Sequence, residues 1–366
     1  MQKLENKRKK IVLMNDGSIK PFDQVNIYVK TAVVLTNIRI DTEKYFELVP
    51  ITYYEPPVKR RGRKRNGMPE PEPVQLEVGS CVFVQKRRET RGTPIKKRKD
   101  KDKHFLHCVT GVFALPNQIY ATIKIPTNGK LHITGCKTNE QYVLALQMLL
   151  KSFDDIEAMT GQRVYTLHND YKTSHENEHR STDSIVQAVI NIVMVNRDFN
   201  IGFLVSRENL DNFINTSELD WASTFESAMH TSAQIKIPNN SYRNIKLQEV
   251  QYDMRNRQVI SSVMRSFDNF ASYFEDKNKK KDTRDKYYTF GVFANGSVIM
   301  SGRGDEMESV YQAFVSLLIE NRASIEQVVD DIEPLVKISN KRKRNHTSDS
   351  ESDEEAVEEV EEEEYE

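Results

Sequence analysis

Two stretches of the chain alternate apolar and polar residues on both sides of an Asn-Gly pair. In YATIKIPTNGKLHITG, from Tyr120 to Gly135, Ala121, Ile123, Ile125, Leu131 and Ile133 share one face, and Lys124, Pro126, His132 and Thr134 share the other. In YYTFGVFANGSVIMSG, from Tyr287 to Gly302, Tyr288, Phe290, Val292, Val298 and Met300 lie opposite Gly291, Phe293, Ile299 and Ser301. Asn-Gly between alternating runs predicts a hairpin with a type I′ turn, in which both central residues take positive φ. An amphipathic helix is expected after each hairpin. Thr138 and Gln141 have the spacing of a capping box before Val143, Leu146, Leu150 and Phe153. Asp305 and Glu308 hold the same spacing before Met307, Val310, Tyr311, Phe314 and Leu318.

The duplication extends upstream. NIYVKTAVVLTNIRIDTEKYFELV, from Asn26, aligns without gaps on NIVMVNRDFNIGFLVSRENLDNFI, from Asn191. Each segment reads as a strand passing into a short helix, capped near Asp41 in one and Ser206 in the other. The offset of 165 residues is close to the 167 that separate Gly129 from Gly296. One such unit covers its sheet poorly, whereas two side by side make one continuous sheet with helices on one face. The pattern divides the chain into a basic arm (1–20), repeat one (21–165), a linker (166–182), repeat two (183–335) and a tail (336–366). Repeat one carries a basic, Pro-rich insert (55–103), largely linker around a strand-like SCVFV. Repeat two carries an insert (240–286), in which Val259, Val263, Phe267, Phe270 and Phe274 recur at helical spacing and predict an extra helix.

Charge changes the picture. The formal net charge is −1, yet twelve acidic and no basic residues fall between Asp349 and Glu366, so the remainder is strongly basic. A basic body with an acidic tail fits a nucleic-acid binder, and the tail is expected to be disordered. Hydrophobic content of 38% and charged content of 29% agree with part of the length being unpacked. No run of about 18 apolar residues occurs, and MQKLENKRKK lacks the apolar stretch of a signal peptide. Cys81, Cys108 and Cys136 form no CxxC pair, which argues against a disulfide frame or a Cys-rich zinc site and fits a reducing compartment.

The duplicated unit, with NGKLHITGCK and NGSVIMSGRG, resembles the TATA-box-binding protein family, whose repeats carry an F-x-S-G-K-x-V-x-T-G-A-K signature. It is similar in particular to the divergent TATA-binding-protein-like group of large nucleocytoplasmic DNA viruses, in its TGCK hairpin, basic inserts and KRRGRKR-type linker. FESAMHTSAQIKI, from Phe225, also aligns without gaps on the family's YEPELFPGLIYRM. The resemblance covers roughly Asn26 to Asp330, both inserts excepted. It implies an α+β fold: a saddle of two quasi-symmetric repeats forming one curved antiparallel sheet, with helices on the convex face and double-stranded DNA in the concave one.

Family roles transfer position by position. The strand asparagines that read base edges match Asn191 and Asn26, and the hairpin threonines match Thr134 and Ser301. The valines two residues earlier match His132 and Ile299, so the first valine is lost. The wedge phenylalanines, which pry base steps apart, match Phe293 and fall on His230 in repeat two; in repeat one they fall on Pro126 and, across a gap, on Phe105. Lys124 and nearby basic residues would contact phosphates. The polar substitutions at Pro126, His132 and His230 run against strong bending and strict TATA preference, while AT-rich minor groove, read mainly as A·T against G·C and by width, stays within reach. The implied partners are a transcription factor IIB-like protein and RNA polymerase, with the protein a monomer on DNA, in the host nucleus or a cytoplasmic viral factory, or packaged in the virion.

Other motifs add alternatives. Lys59, Arg60, Arg61, Gly62, Arg63, Lys64 and Arg65 read as an AT-hook-like element, in which Arg-Gly-Arg lies in a narrow minor groove, as a nuclear-import signal, or as a solvated linker. KRKR from Lys341 reads as nuclear import or as a phosphate contact. His175 and His179 have H-x₃-H spacing beside His168, without acidic or cysteine partners at fitting distances, so no metal or other cofactor is expected. With no GxSxG, Walker loop, HExxH or paired-acid site, the chain is expected not to be an enzyme. A protein-interaction scaffold on the same saddle, having lost specific DNA binding, is the alternative; a substrate-positioning subunit of a nucleic-acid enzyme would need a catalytic domain that the sequence does not carry. The acidic tail is expected to screen non-specific binding by occupying the basic face.

Overall fold

The computed structural model describes residues 11–13, 18–54, 76–95, 107–168, 184–228, 231–270 and 286–327. All of them belong to one compact unit, Met1–Gln327. Phe105, His175, His179, His230, Lys59 to Arg65, KRKR and the acidic tail lie outside the described residues.

Repeat one runs β1 (Ile27–Thr36), β2 (Ile38–Ile40), α1 (Thr42–Leu48), β3 (Cys81–Lys86), β4 (Glu89–Gly92), β5 (Cys108–Leu115), β6 (Ile119–Pro126), β7 (Leu131–Thr134), α2 (Asn139–Thr160) and β8 (Tyr165–Leu167). Repeat two runs β9 (Ile185–Asn200), α3 (Arg207–Thr216), β10 (Ala222–Thr224), β11 (Ser232–Pro238), β12 (Lys246–Asp253), β13 (Gln258–Ser266), β14 (Tyr287–Phe293), β15 (Ser297–Gly302), α4 (Met307–Glu320) and α5 (Arg322–Ile325). One antiparallel sheet runs in the order β10-β11-β14-β15-β9-β1-β7-β6-β5-β3-β4, and β12 adds to β9 and carries β13. The SCVFV segment, expected inside a linker, is β3 and extends the sheet beyond β5.

The two halves meet where β1 pairs with β9, and the pairing repeats itself across the join. Val33 faces Asn191, while Asp198, the residue 165 positions after Val33, donates its amide to the carbonyl of Asn26. Thr31 faces Met194 and Val29 faces Asn196. Even the register shifts correspond: one skips Tyr28 and the other skips Val193, 165 positions apart. Outward from the join the hairpins match as well. Thr31–Thr134–Thr122 in repeat one corresponds to Asn196–Ser301–Thr289 in repeat two.

Alternation sorts the side chains as the pattern predicts. Ala121, Ile123, Ile125, Leu131, Ile133, Tyr288, Phe290, Val292, Val298 and Met300 are all fully buried. The larger aliphatic and aromatic ones contribute about 1.5–3 kcal/mol each. The repeat-one set packs with Tyr142, Leu146, Leu149, Leu150 and Phe153 of α2. The repeat-two set packs with Tyr311, Phe314, Val315 and Leu318 of α4, and the Phe290 and Phe314 rings stack with centroids 3.9 Å apart. The helices thus cover one face, and the residues of opposite parity form the face without helices.

Each half also completes the core of the other. Val25 and Phe22, at the entry to β1, pack in the repeat-two cluster. Ile190, which stands 165 positions after Val25, packs in the repeat-one cluster. The repeat-two insert reinforces this exchange, because Val250, Tyr252 and Met254 enter the core of repeat one. Arg257, between β12 and β13, lies 3.7 Å from Asp154 on α2.

Several local expectations fall differently. Over its described part, the helix expected around Val259 to Phe274, whose last residue lies outside the described residues, is β13 followed by a 3₁₀ turn at Phe267–Phe270. Pairing with β12 satisfies its backbone along Lys246–Ser266, and the β-branched residues of VISSV favour a strand once an edge is offered. The box at Thr138 and Gln141 forms, as do the caps at Asp41 and Ser206. Asp305 does not cap α4: the helix begins after Glu306 without a side-chain cap bond. Nor are the Asn-Gly turns type I′. Asn128 and Asn295 are absent from the positive-φ residues, whereas Gly129 and Gly296 have φ of 71° and 76°. Each loop closes by a bond from the glycine N–H to the carbonyl three residues back, Pro126 and Phe293, and each asparagine side chain accepts from the amide two residues on. This is a β-turn followed by a left-handed glycine, one of the longer hairpin connections.

A Cβ at Gly129 would fall inside contact distance of the Ile38 carbonyl oxygen, and one at Gly296 would meet the equivalent Phe203 oxygen. With positive φ added, Gly129→Ala and Gly296→Ala should each lower stability by more than about 1 kcal/mol in urea titrations. Equal stability of either variant with the parent would contradict the turn geometry.

Candidate nucleic-acid interface

The face without helices is read in rows across the strands. In repeat one the central row is Gln85–Thr110–Lys124–His132–Val33–Asn191. In repeat two it is Asp198–Ile299–Gly291–Gln234–Thr224. The neighbouring rows hold Thr134 with Thr122, and Ser301 with Thr289, Lys236 and Ala222. Pro126 stands opposite Cys108, and Phe293 stands opposite Ser232, at equivalent positions beyond the central rows.

Lys124, Pro126, His132, Thr134, Phe293, Ile299 and Ser301 therefore all belong to this face, and all are partly or fully exposed. Burial of its imidazole, then the charges of Lys124 and Lys130, holds His132 below the ordinary histidine value. At neutral pH it is an uncharged donor–acceptor rather than a cation. Lys124 and Lys236 supply positive charge, one in each half.

The two strand asparagines have different fates. Asn26 is exposed and donates through Nδ2 to Asp198 Oδ1 at 3.0 Å. Asn191 lies on the face expected for it, but it is buried (5% exposed) and accepts from Arg303 at 3.0 Å. Arg303 follows β15 and also donates to the carbonyl of Tyr242 at 3.0 Å. Its guanidinium stacks 3.5 Å from the Tyr242 ring centroid and 5.6 Å from that of Phe267. Val189, of the same parity as Asn191, packs with Leu247, Phe267 and Phe270. The repeat-two insert thus folds back over this corner of the face and covers Asn191, correcting the expectation that Asn191 is presented to a ligand.

Asp198 and Arg303 are not among the residues that the sequence pattern singles out. The ungapped alignment of the two strand segments already sets Asp198 against Val33, a charged residue where its mate is apolar. Arg303 lies in SGRGD, which reads from sequence only as a strand end. Among the described residues no group of three or more His, Cys, Asp or Glu side chains is placed to hold a metal ion, and no helix is long and apolar enough to cross a membrane.

The strand register and the one-sided helices define an α+β protein built on one large antiparallel sheet of two quasi-symmetric halves. No protein-family model matches the sequence. Over 225 residues the chain is 22% identical to uncharacterized protein 335L of Invertebrate iridescent virus 6, a match spanning 60% of this chain and 62% of the viral protein. The chain thus spans less than two thirds of the length of that relative. Among solved structures it is similar to the TBP of Methanococcus jannaschii, with 12% identity and a TM-score of 0.35, over 81% of this chain and 98% of the archaeal one.

Removing Arg303 would leave the buried Asn191 acceptor and the Tyr242 carbonyl short of a donor. Arg303→Ala should cost about 1–3 kcal/mol of stability. It should also raise amide exchange in the Lys246–Ser266 hairpin more than in β6 and β7. Uniform or unchanged exchange would contradict the role of Arg303 as the clasp of the insert.

Proposed function

We propose that the chain is a TATA-binding-protein-like transcription-initiation factor that binds duplex DNA through the face without helices and acts without chemistry of its own. The observation that supports this most is the repeated register about the β1–β9 join, which sets Thr134 and Ser301, His132 and Ile299, and Pro126 and Phe293 at equivalent positions on one open face. A short duplex element has near two-fold geometry, so equivalent side chains meet equivalent positions at its two ends. In this reading Phe293 and Pro126 act as wedges, Lys124 and Lys236 contact phosphates, and the preferred ligand is AT-rich minor groove. The helix-covered side is then free to recruit a transcription factor IIB-like protein and RNA polymerase, with one copy of the chain on each DNA site.

A second reading keeps the fold as a protein-interaction scaffold. The covering of Asn191 and the carboxylate of Asp198 on the open face favour it, since both reduce what that face offers to an anionic ligand.

Titrating AT-rich, GC-rich and single-stranded DNA across salt separates the two readings, with energy transfer between duplex ends to register bending. DNA binding predicts affinity for AT-rich duplex that falls with log salt at a slope of about −2 or steeper, as displacement of counterions from two or more phosphates requires. Phe293→Ala should reduce bending more than affinity. No duplex binding at low salt would leave the scaffold reading.

A further inference from the structure

The geometry points to Asp198 as a specificity-determining residue that requires one guanine amine near the centre of the DNA site, and this rests on the duplex-binding reading above. Asp198 sits beside the join of the two halves, at the head of the row that continues through Ile299, Gly291 and Gln234. Asp198 is partly exposed, and its Oδ1 accepts from the side-chain amide of Asn26 at 3.0 Å. A carboxylate has about four acceptor positions, so it can serve Asn26 and a ligand donor together.

The minor-groove edges of A·T and T·A offer only acceptors, adenine N3 and thymine O2, while G·C adds the guanine N2 amine as the one donor. An ionised carboxylate pressed against A·T edges therefore meets acceptors and loses its water without replacement, which is unfavourable. Against guanine N2 it gains a charge-assisted hydrogen bond. The neighbourhood supports the same direction. The mate of Asp198 across the join is Val33, which has no acceptor, and the flanking Ile299 and Gly291 bring none from their side chains. The demand for guanine thus falls on one half of the site only. The result is an AT-rich element broken by a single G·C pair off its two-fold centre.

Base analogues isolate the amine. A single G·C pair is stepped through the central pairs of an otherwise A·T duplex, and affinity is measured for the intact protein at fixed salt. One position should bind best. There, replacing guanine by inosine, which lacks only the N2 amine, should weaken binding roughly tenfold, and 2,6-diaminopurine·T, which adds that amine to an A·T pair, should restore it. Asp198→Val, which copies the mate position, should lose the guanine-over-inosine difference and tighten binding to the all-A·T duplex severalfold. Binding of the parent with equal affinity for guanine and inosine at every position would overturn the role of Asp198 while leaving duplex binding intact. Failure to bind any duplex would overturn the functional reading itself, and this inference with it.

Discussion

The structure depends on the antiparallel pairing of β1 with β9. A slip of β1 by one residue against β9 would turn Thr31 and Val33 toward the helices and send Ala32 and Val34 to the open face. Two devices hold it. The paired shifts at Tyr28 and Val193 fix where the strands can meet, since a bulge is defined at one position only. The reciprocal cores fix it again, because Val25 must reach the repeat-two cluster while Ile190 reaches the repeat-one cluster. Separating the halves would expose both ends of this exchange at once, so the two repeats are expected to fold as one unit.

Symmetry of backbone does not carry through to the side chains. The join supplies two equivalent frames, and the chain fills them differently: Val33 against Asp198, Lys124 against Gly291, His132 against Ile299 and Pro126 against Phe293. The inserts deepen the difference. One adds β3 and β4 to the outer edge of repeat one, and the other adds β12 and β13 and covers Asn191. The face is therefore directional: each half carries one lysine, but one end is partly capped over Asn191 and the other carries the carboxylate of Asp198.

Much of this was legible in the sequence because it rests on short-range pattern. Alternation about the two Asn-Gly pairs assigned all ten core positions of the hairpins, and the spacing of Thr138 and Gln141 located the start of α2. What failed depended on distant partners. The apolar spacing from Val259 fits a helix as well as an edge strand, and only the free edge of β9, followed by β12, decides for the strand. The loops of Asn128 and Asn295 are set by where Pro126 and Phe293 end their strands, so the dipeptide alone named the wrong turn. The burial of Asn191 was invisible for the same reason: Arg303 reaches it from 112 positions away, and the Tyr242 and Phe267 rings that pack on that guanidinium come from the insert.

In the proposed complex the two joined halves present one helix-free face to a duplex. Site-specific photo-crosslinking tests this placement most directly, with the reactive residue placed in turn at His132 and Ile299 on that face, and at the exposed Lys151 and Ala313 on α2 and α4. Crosslinks to bound duplex are expected from positions 132 and 299, and none from 151 or 313. Crosslinks confined to the helix positions would contradict this placement.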